Sequence, residues 1–134
     1  MSHSQWPARK ELKEELVRQH LQIEENVVQY LENVLSEYRE KPGAYAQYMD
    51  RLIARVENLL LPHNTWEEEK VFPLFTGHPL IEALVSQHRE IFGLLSTAKQ
   101  EKSPTRKVQT LLDFLEILKM HSKLENERLV PMIY

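Results

Sequence analysis

Apolar residues recur at intervals of three and four along four stretches of the chain, and polar residues fill the positions between them. This spacing places the apolar side chains on one face of an α-helix and the polar side chains on the other. We therefore expect four amphipathic helices, over about residues 4–40, 44–72, 79–99 and 104–130.

The junctions between these stretches carry residues that stop and start helices. They are Lys-Pro-Gly at 41–43, Thr-Gly-His-Pro at 76–79 and Ser-Pro at 103–104. Pro62 lies inside the second stretch, where we expect a kink because proline lacks a backbone N–H. Short connections between long helices favour antiparallel neighbours. The predicted fold is all-α, an antiparallel up-down-up-down four-helix bundle, forming one domain over residues 1–134 with residues 1–6 flexible.

Composition narrows the functional classes. The 134 residues are 42% apolar and 28% charged, a balance typical of one globular domain. The net charge of −3 gives no basic surface for nucleic acid or for an anionic membrane. The absence of cysteine excludes disulfides, zinc fingers and thiol nucleophiles. Because the N-terminus is polar and no apolar run is long enough to span a membrane, we expect a cytoplasmic protein.

Four of the six histidines lie on the apolar faces, one in each predicted helix. Each has apolar residues three and four positions before it and three positions after it, and three of them have a glutamate four positions after. The histidines are His20, His63, His88 and His121, and the glutamates are Glu24, Glu67 and Glu125. Buried carboxylates are costly unless they are paired or bound to metal. Packing alone therefore does not account for this pattern.

The positions of these histidines along the helices agree with a common site. With a rise of 1.5 Å per residue and antiparallel neighbours, all four lie ~14–20 Å from the same end of the bundle. Four apolar side chains are expected around the point where they converge: Ile23, Trp66, Phe92 and Leu124. We expect Trp66 and Phe92 to be core residues rather than cofactor contacts.

The remaining histidines and nearby glutamates have simpler interpretations. His3 has no predicted role, and His78, between a glycine and a proline, is expected to be a loop or N-cap residue. Glu68, Glu69 and Glu127 are expected to face solvent.

The donor set is nitrogen and carboxylate oxygen without sulfur. Closed zinc sites take four ligands and often include cysteine, whereas calcium and magnesium prefer oxygen alone. Imidazole with carboxylate suits iron, manganese or zinc, and six or seven ligands suit two ions bridged by carboxylates. The Glu-x-x-His pattern of ferritin-like bundles is absent, because no histidine has a glutamate three positions before it.

Two segments share a longer pattern: a histidine, a glutamate four residues later, and a proline after one more apolar turn. They are HNTWEEEKVFP at 63–73 and HSKLENERLVP at 121–131. With the single histidines of the other two helices, this doubled motif resembles the hemerythrin-like (HHE cation-binding) domain family, from His20 to Pro131.

The resemblance implies a non-haem di-iron centre with an oxo or hydroxo bridge, in which zinc or manganese could substitute. It implies His20, His63, His88 and His121 as terminal ligands and Glu67 and Glu125 as bridging carboxylates. Glu24, one turn from His20, is a candidate seventh ligand, or else an acceptor for an imidazole N–H.

The chain departs from the oxygen-carrying hemerythrins in two places. Phe92 stands where they have a second histidine on the third helix, and Glu125 stands where they use an aspartate with different spacing. The set of four histidines and two glutamates is more similar to di-iron proteins linked to nitric oxide response and iron–sulfur repair. Those proteins carry a further cysteine-containing N-terminal domain, which these 134 residues do not include.

Two octahedral ions with these ligands and one bridging oxygen keep about two positions open, or about one if Glu24 binds. We therefore expect a protein that binds a small diatomic or anionic ligand (O2, NO or an azide-like anion), for storage, delivery or sensing. An enzyme is less favoured, since no tyrosine lies one turn from the ligands. Two alternatives stay open. One is a di-iron redox enzyme or iron-donating stress protein, and the other is a structural zinc or mixed-metal bundle or iron-responsive interaction domain. The sequence does not predict the oligomeric state.

Overall fold

A computed structural model describes the backbone of residues 5–133 and the side chains of residues 9–133. The first helix, α1, covers residues 5–40, with a π-helical segment, Glu24–Val28, between the α-helical parts Gln5–Ile23 and Gln29–Glu40. The second helix, α2, covers residues 46–71, and its α-helical part Ala46–Trp66 ends in a π-helical segment, Glu67–Val71.

Of the other two helices, only one contains a π-helical segment. The third, α3, is regular from Pro79 to Gln100, whereas the fourth, α4, passes from an α-helical part, Pro104–Leu124, into a π-helical segment, Glu125–Leu129. Short 3₁₀ segments follow α1, α2 and α4, at Pro42–Tyr45, Phe72–Phe75 and Val130–Met132. The described residues thus form four long helices and no strand, which confirms the predicted all-α bundle.

Helix α1 packs against α2 and α4, α3 packs against α2 and α4, and α2 and α4 also contact each other across the bundle. The buried apolar side chains form two separate clusters. The larger cluster includes Leu31, Leu35, Ile53, Leu95 and Leu111, and the smaller includes Leu16, Val71, Phe72, Leu84 and Leu129. Along every helix, the predicted core histidine lies between residues of one cluster and residues of the other. A polar layer therefore divides the apolar core.

The helix boundaries follow the predicted start and stop residues. The Ser103 side chain accepts from the Arg106 N–H at the start of α4, and the His78 ring accepts from the Leu80 N–H at the start of α3, which confirms His78 as an N-cap. The α-helical part of α2 continues through Pro62. The expectations for His3 and for flexible residues 1–6 concern a stretch of which residues 1–4 lie outside the described part.

Among the described residues, none of the helices combines the length and the apolar character that a membrane crossing requires. The cytoplasmic location expected from the sequence stays a prediction.

Candidate metal centre

The polar layer brings the four core histidines together with two glutamates. Their ligand atoms form two groups, in each of which the atoms lie within 4.8 Å of one another. One group is His20, His63, Glu67 and Glu125, and the other is His88, His121, Glu67 and Glu125. The two glutamates belong to both groups, whereas each histidine belongs to one. Each group could hold a metal ion, and the two groups have both carboxylates in common.

Glu67 faces both histidine pairs. Its Oε1 lies 3.1 Å from the Nε2 of His88, and its Oε2 lies 3.2 Å from the Nε2 of His20 and 3.6 Å from the Nε2 of His63. The side chain is completely buried. Each carboxylate oxygen is therefore directed at a different one of the two groups.

Glu125 spans the two groups from the opposite helix. Its Oε1 lies 3.2 Å from the Nε2 of His20 and 3.2 Å from the Nε2 of His121. Two buried atoms here have no hydrogen-bond partner, the Oε2 of Glu125 and the Nε2 of His121. Buried polar atoms without a partner are rare and costly, and a cation between them would satisfy both. The residues present thus fit a bound metal.

Each of the four imidazoles turns its Nε2 to the cluster and its Nδ1 to a side-chain oxygen outside it. The outer contacts are His20 with Asn126 at 2.8 Å, His63 with Gln19 at 2.7 Å, His88 with Glu68 at 2.8 Å, and His121 with Gln87 at 2.7 Å. An Nδ1–H that donates outward leaves the Nε2 lone pair free for a metal and fixes the orientation of the ring.

The sequence interpretation missed these four outer residues. Gln19 and Gln87 each precede a core histidine, but each accepts from a histidine of the next helix, so the contact cannot be derived from spacing within one helix. Glu68 was expected to face solvent. Its side chain is 45% exposed, yet its carboxylate accepts from the His88 Nδ1–H. The repeated Gln-His pair at 19–20 and 87–88 is a pattern that singles out Gln19 and Gln87, whereas no such pattern singles out Glu68 and Asn126.

Without metal, the imidazoles carry very different proton affinities. Burial opposes charge on His20, but hydrogen bonds and attraction from Glu125 and Glu67 outweigh burial and raise its pKa to about 10. Burial, together with the neighbouring imidazoles, lowers the pKa of His63 to about 4, against the attraction of Glu125. Burial also opposes charge on His88, but hydrogen bonds from Glu67 and Glu68 raise its pKa.

The two glutamates titrate as a pair. Burial and the neighbouring Glu125 raise the pKa of Glu67 to about 7. Burial acts in the same direction on Glu125, but its interactions with Glu67, His121 and His20 outweigh burial and hold the pKa of Glu125 well below its ordinary value. The metal-free centre thus retains protons near neutral pH that a cation would replace.

Glu24 does not reach this cluster. Its side chain is exposed, and neither group of converging ligand atoms includes it. The inward residue of that turn is Ile23, which is 8% exposed. The structure gives no support to Glu24 as a seventh ligand or as an acceptor for an imidazole. The buried face of α1 at this level contains Ile23, the residue before Glu24, and Glu24 lies on the exposed face.

A groove of about 490 Å³ between α1 and α2 reaches the cluster from the surface. Its lining includes the apolar side chains of Ile23 and Trp66 and the imidazole of His63. Phe92 and Leu124, which the sequence placed around the same site, do not line this groove. Both are half-buried, Phe92 against the larger apolar cluster and Leu124 against the smaller one.

No curated protein and no solved structure matches the chain. The sequence profile of the hemerythrin HHE cation binding domain matches residues 12–133, which include all four histidines and both glutamates of the cluster. The chain therefore belongs to the hemerythrin HHE cation-binding family.

Proposed function

We propose that the cluster holds two iron ions and that the protein reversibly binds dioxygen, nitric oxide or a related small anion there. The observation that carries this proposal is the sharing of Glu67 and Glu125 between two separate histidine pairs. A single ion would leave one pair and its buried carboxylate oxygens without a partner, at a considerable cost in desolvation.

The choice of iron rests on donor chemistry. Four imidazoles and two carboxylates without sulfur suit iron, manganese or zinc, and of these iron supplies redox-active coordination positions for diatomic ligands. The chain's own part is to fix the donors: the outer hydrogen bonds hold each Nδ1–H, and the two apolar clusters exclude water above and below the polar layer.

The groove between α1 and α2 provides a route for a small ligand. It is open at the surface and reaches His63, so a molecule of a few atoms could enter without displacing a helix. Polar side chains line it together with the apolar ones, among them Arg18, Gln22 and Asn26. We infer that this mixed lining admits small anions as well as neutral diatomic molecules.

Metal analysis and ligand titration test the proposal. After expression with ample iron, we expect about two iron atoms per chain and an absorption band that changes when azide is added. The reduced protein should bind dioxygen and release it when oxygen is removed. One metal per chain, or zinc alone after such expression, would contradict the di-iron proposal. Catalytic consumption of nitric oxide or peroxide would favour a redox enzyme instead.

A further inference from the structure

The outer residues of the metal centre repeat between the two halves of the bundle. Gln19 on α1 supports His63 on α2, and Gln87 on α3 supports His121 on α4 in the same way. The residue directly after each shared glutamate supports the histidine of the opposite half. These residues are Asn126, which accepts from His20, and Glu68, which accepts from His88.

The two halves differ in one of these outer acceptors. Three of the four imidazoles donate to a neutral amide oxygen, whereas His88 donates to a carboxylate. The two outer contacts that correspond, His20 with Asn126 and His88 with Glu68, have the same length of 2.8 Å. These two outer contacts therefore differ in charge rather than in length.

The difference falls on one side of the cluster. His20 and His63 form one pair, with ring centres 5.3 Å apart, and His88 and His121 form the other, with ring centres 4.7 Å apart. We call the positions they define the α1–α2 position and the α3–α4 position. Both share the same two glutamates, so the carboxylate of Glu68 is the formal charge that distinguishes them among these contacts.

We propose that Glu68 makes the two metal positions unequal, so that the α3–α4 position fills first and binds its cation more tightly. This inference rests on the proposed two-metal centre. A carboxylate that accepts from the Nδ1–H increases the electron density at Nε2 and adds negative charge near the cation. Glu68 acts through His88 and is a positioning residue.

The effect is of moderate size. Outer hydrogen-bond partners of metal-bound imidazoles change metal affinity by about 10–100-fold. Glu68 is 45% exposed, so water screens part of its charge and we expect the lower end, about tenfold. Two positions that differ this much load in resolvable steps.

A titration of the metal-free 134-residue chain with Co²⁺ tests the inference. We expect two binding steps. Glu68→Gln keeps the accepting oxygen and removes the charge, so it should weaken the tighter step by about tenfold and bring the steps together. Asn126→Asp adds the corresponding charge on the other side and should strengthen the weaker step. Glu69→Gln is the matched control, since Glu69 is exposed and, within the described residues, pairs with none of the imidazoles.

Proton NMR at one equivalent of Co²⁺ identifies the position that fills first. The imidazoles of the filled position give strongly shifted Nδ1–H resonances. Glu68→Gln should move one of these. Asn126→Asp should leave them in place and add a second set, from His20 and His63, because the α1–α2 position then binds more tightly. The reverse result, or two equal steps that Glu68→Gln leaves unchanged, would overturn the inference while two bound ions still support the centre. A single Co²⁺ per chain would instead contradict the proposed function.

Discussion

The first and second helices carry the same spacing between histidine and glutamate but place the glutamate on different sides. In both, a π-helical segment begins at that glutamate, at Glu24 in α1 and at Glu67 in α2. Glu67 is completely buried in the metal centre, whereas Glu24 is exposed. A spacing of four residues therefore fixes the turn on which a side chain lies, but not the rotation of the helix about its own axis.

The buried residues that follow each histidine account for the difference. In α2 the inward positions come four and eight residues after His63, at Glu67 and Val71. In α1 they come three and seven residues after His20, at Ile23 and Val27, and Val28 beside Val27 is buried as well. Successive residues on the buried face of an amphipathic helix are three or four positions apart. One turn after the histidine, the buried residue is four positions on in α2 and three positions on in α1.

The other two helices repeat the same pair of choices. In α4 the inward residues after His121 are Glu125 and Leu129, as in α2, and in α3 those after His88 are Ile91 and Leu95, as in α1. Thus α2 and α4 each bury a glutamate at the level of the cluster, whereas α1 and α3 each bury an isoleucine there. The result is two shared carboxylates for four histidines.

Substitution of an inward glutamate has the largest expected effect. Glu125→Ala removes an oxygen donor from both cation positions, so we expect metal affinity to fall by more than about 100-fold, beyond the loss for an outer residue. Iron per chain after gel filtration measures this, and circular dichroism checks that the variant stays helical. His63→Ala and His121→Ala should also lose metal.

His78→Ala is the control, because His78 caps α3 and takes no part in the cluster. Retention of two irons by Glu125→Ala would show that the shared carboxylate is not a ligand and would remove the distinction between the inward and outward glutamates.

Metal binding should depend strongly on pH because the inward groups hold protons. The pKa of His20 is raised to about 10 and that of Glu67 to about 7, so near pH 7 the metal-free centre carries roughly one to two protons that a cation displaces. Affinity should therefore rise by about 10–100-fold per pH unit between about pH 6 and 9. Calorimetry in buffers of different ionisation enthalpy counts the protons. No buffer dependence would contradict this assignment.

The pKa of His20 also determines how the stability of the metal-free protein changes with pH. Because the folded pKa of His20 lies above its ordinary value of 6.5, its contribution is complete below about pH 6.5 and is lost as the pH rises towards about 10. Stabilisation by metal should consequently increase with pH.

Removal of metal should lower thermal stability, because the polar layer then leaves buried groups without partners. An ion present at about 100 times its dissociation constant stabilises the native state by about 2.7 kcal/mol. For a chain of this length that corresponds to about 10 °C in Tm. Calorimetry before and after chelation measures the shift. An unchanged Tm after verified iron removal would refute the coupling.

Leu111→Ala is a useful comparison for the chelation experiment. Leu111 is completely buried in the larger apolar cluster, away from the ligand atoms. Its truncation should cost about 2–5 kcal/mol in both forms alike, since it leaves a cavity that metal does not affect. If the loss of stability differed between the metal-bound and metal-free forms, the larger apolar cluster and the polar layer would not be independent.

The sequence predicts that four histidines and two glutamates converge, because the two constraints behind this prediction are local. Apolar neighbours at three and four positions identify a buried histidine, and helix length fixes its height in the bundle. The outer residues Gln19 and Glu68 could not be predicted this way, because each contacts a histidine of another helix. Their partners depend on how the helices pack, which spacing within one helix does not contain.

The residues two turns after each histidine show why the sequence identifies the inward position of Glu67 but not the outward position of Glu24. In α2 the residue seven positions after the histidine is Lys70 and the eighth is Val71, which identifies the step of four. In α1 both corresponding residues are valines, Val27 and Val28, and both are buried, so the sequence leaves the step undecided. The π-helical segment, which begins at Glu24, allows this stretch to bury both.

Glu24→Ala should have the smallest effect. Since Ile23 rather than Glu24 faces inward, the variant should keep two irons, the same azide affinity and the same absorption band as the parent. Phe92 holds the corresponding position on α3, four residues after His88, and packs against the larger apolar cluster instead of entering either ligand group. Stronger azide binding with a changed band would instead place the Glu24 carboxylate on a metal. Metal affinity weaker by about 10–100-fold with an unchanged band would place it on an imidazole N–H. Either result would mean that the inward and outward glutamates do not differ in the way that their burial indicates.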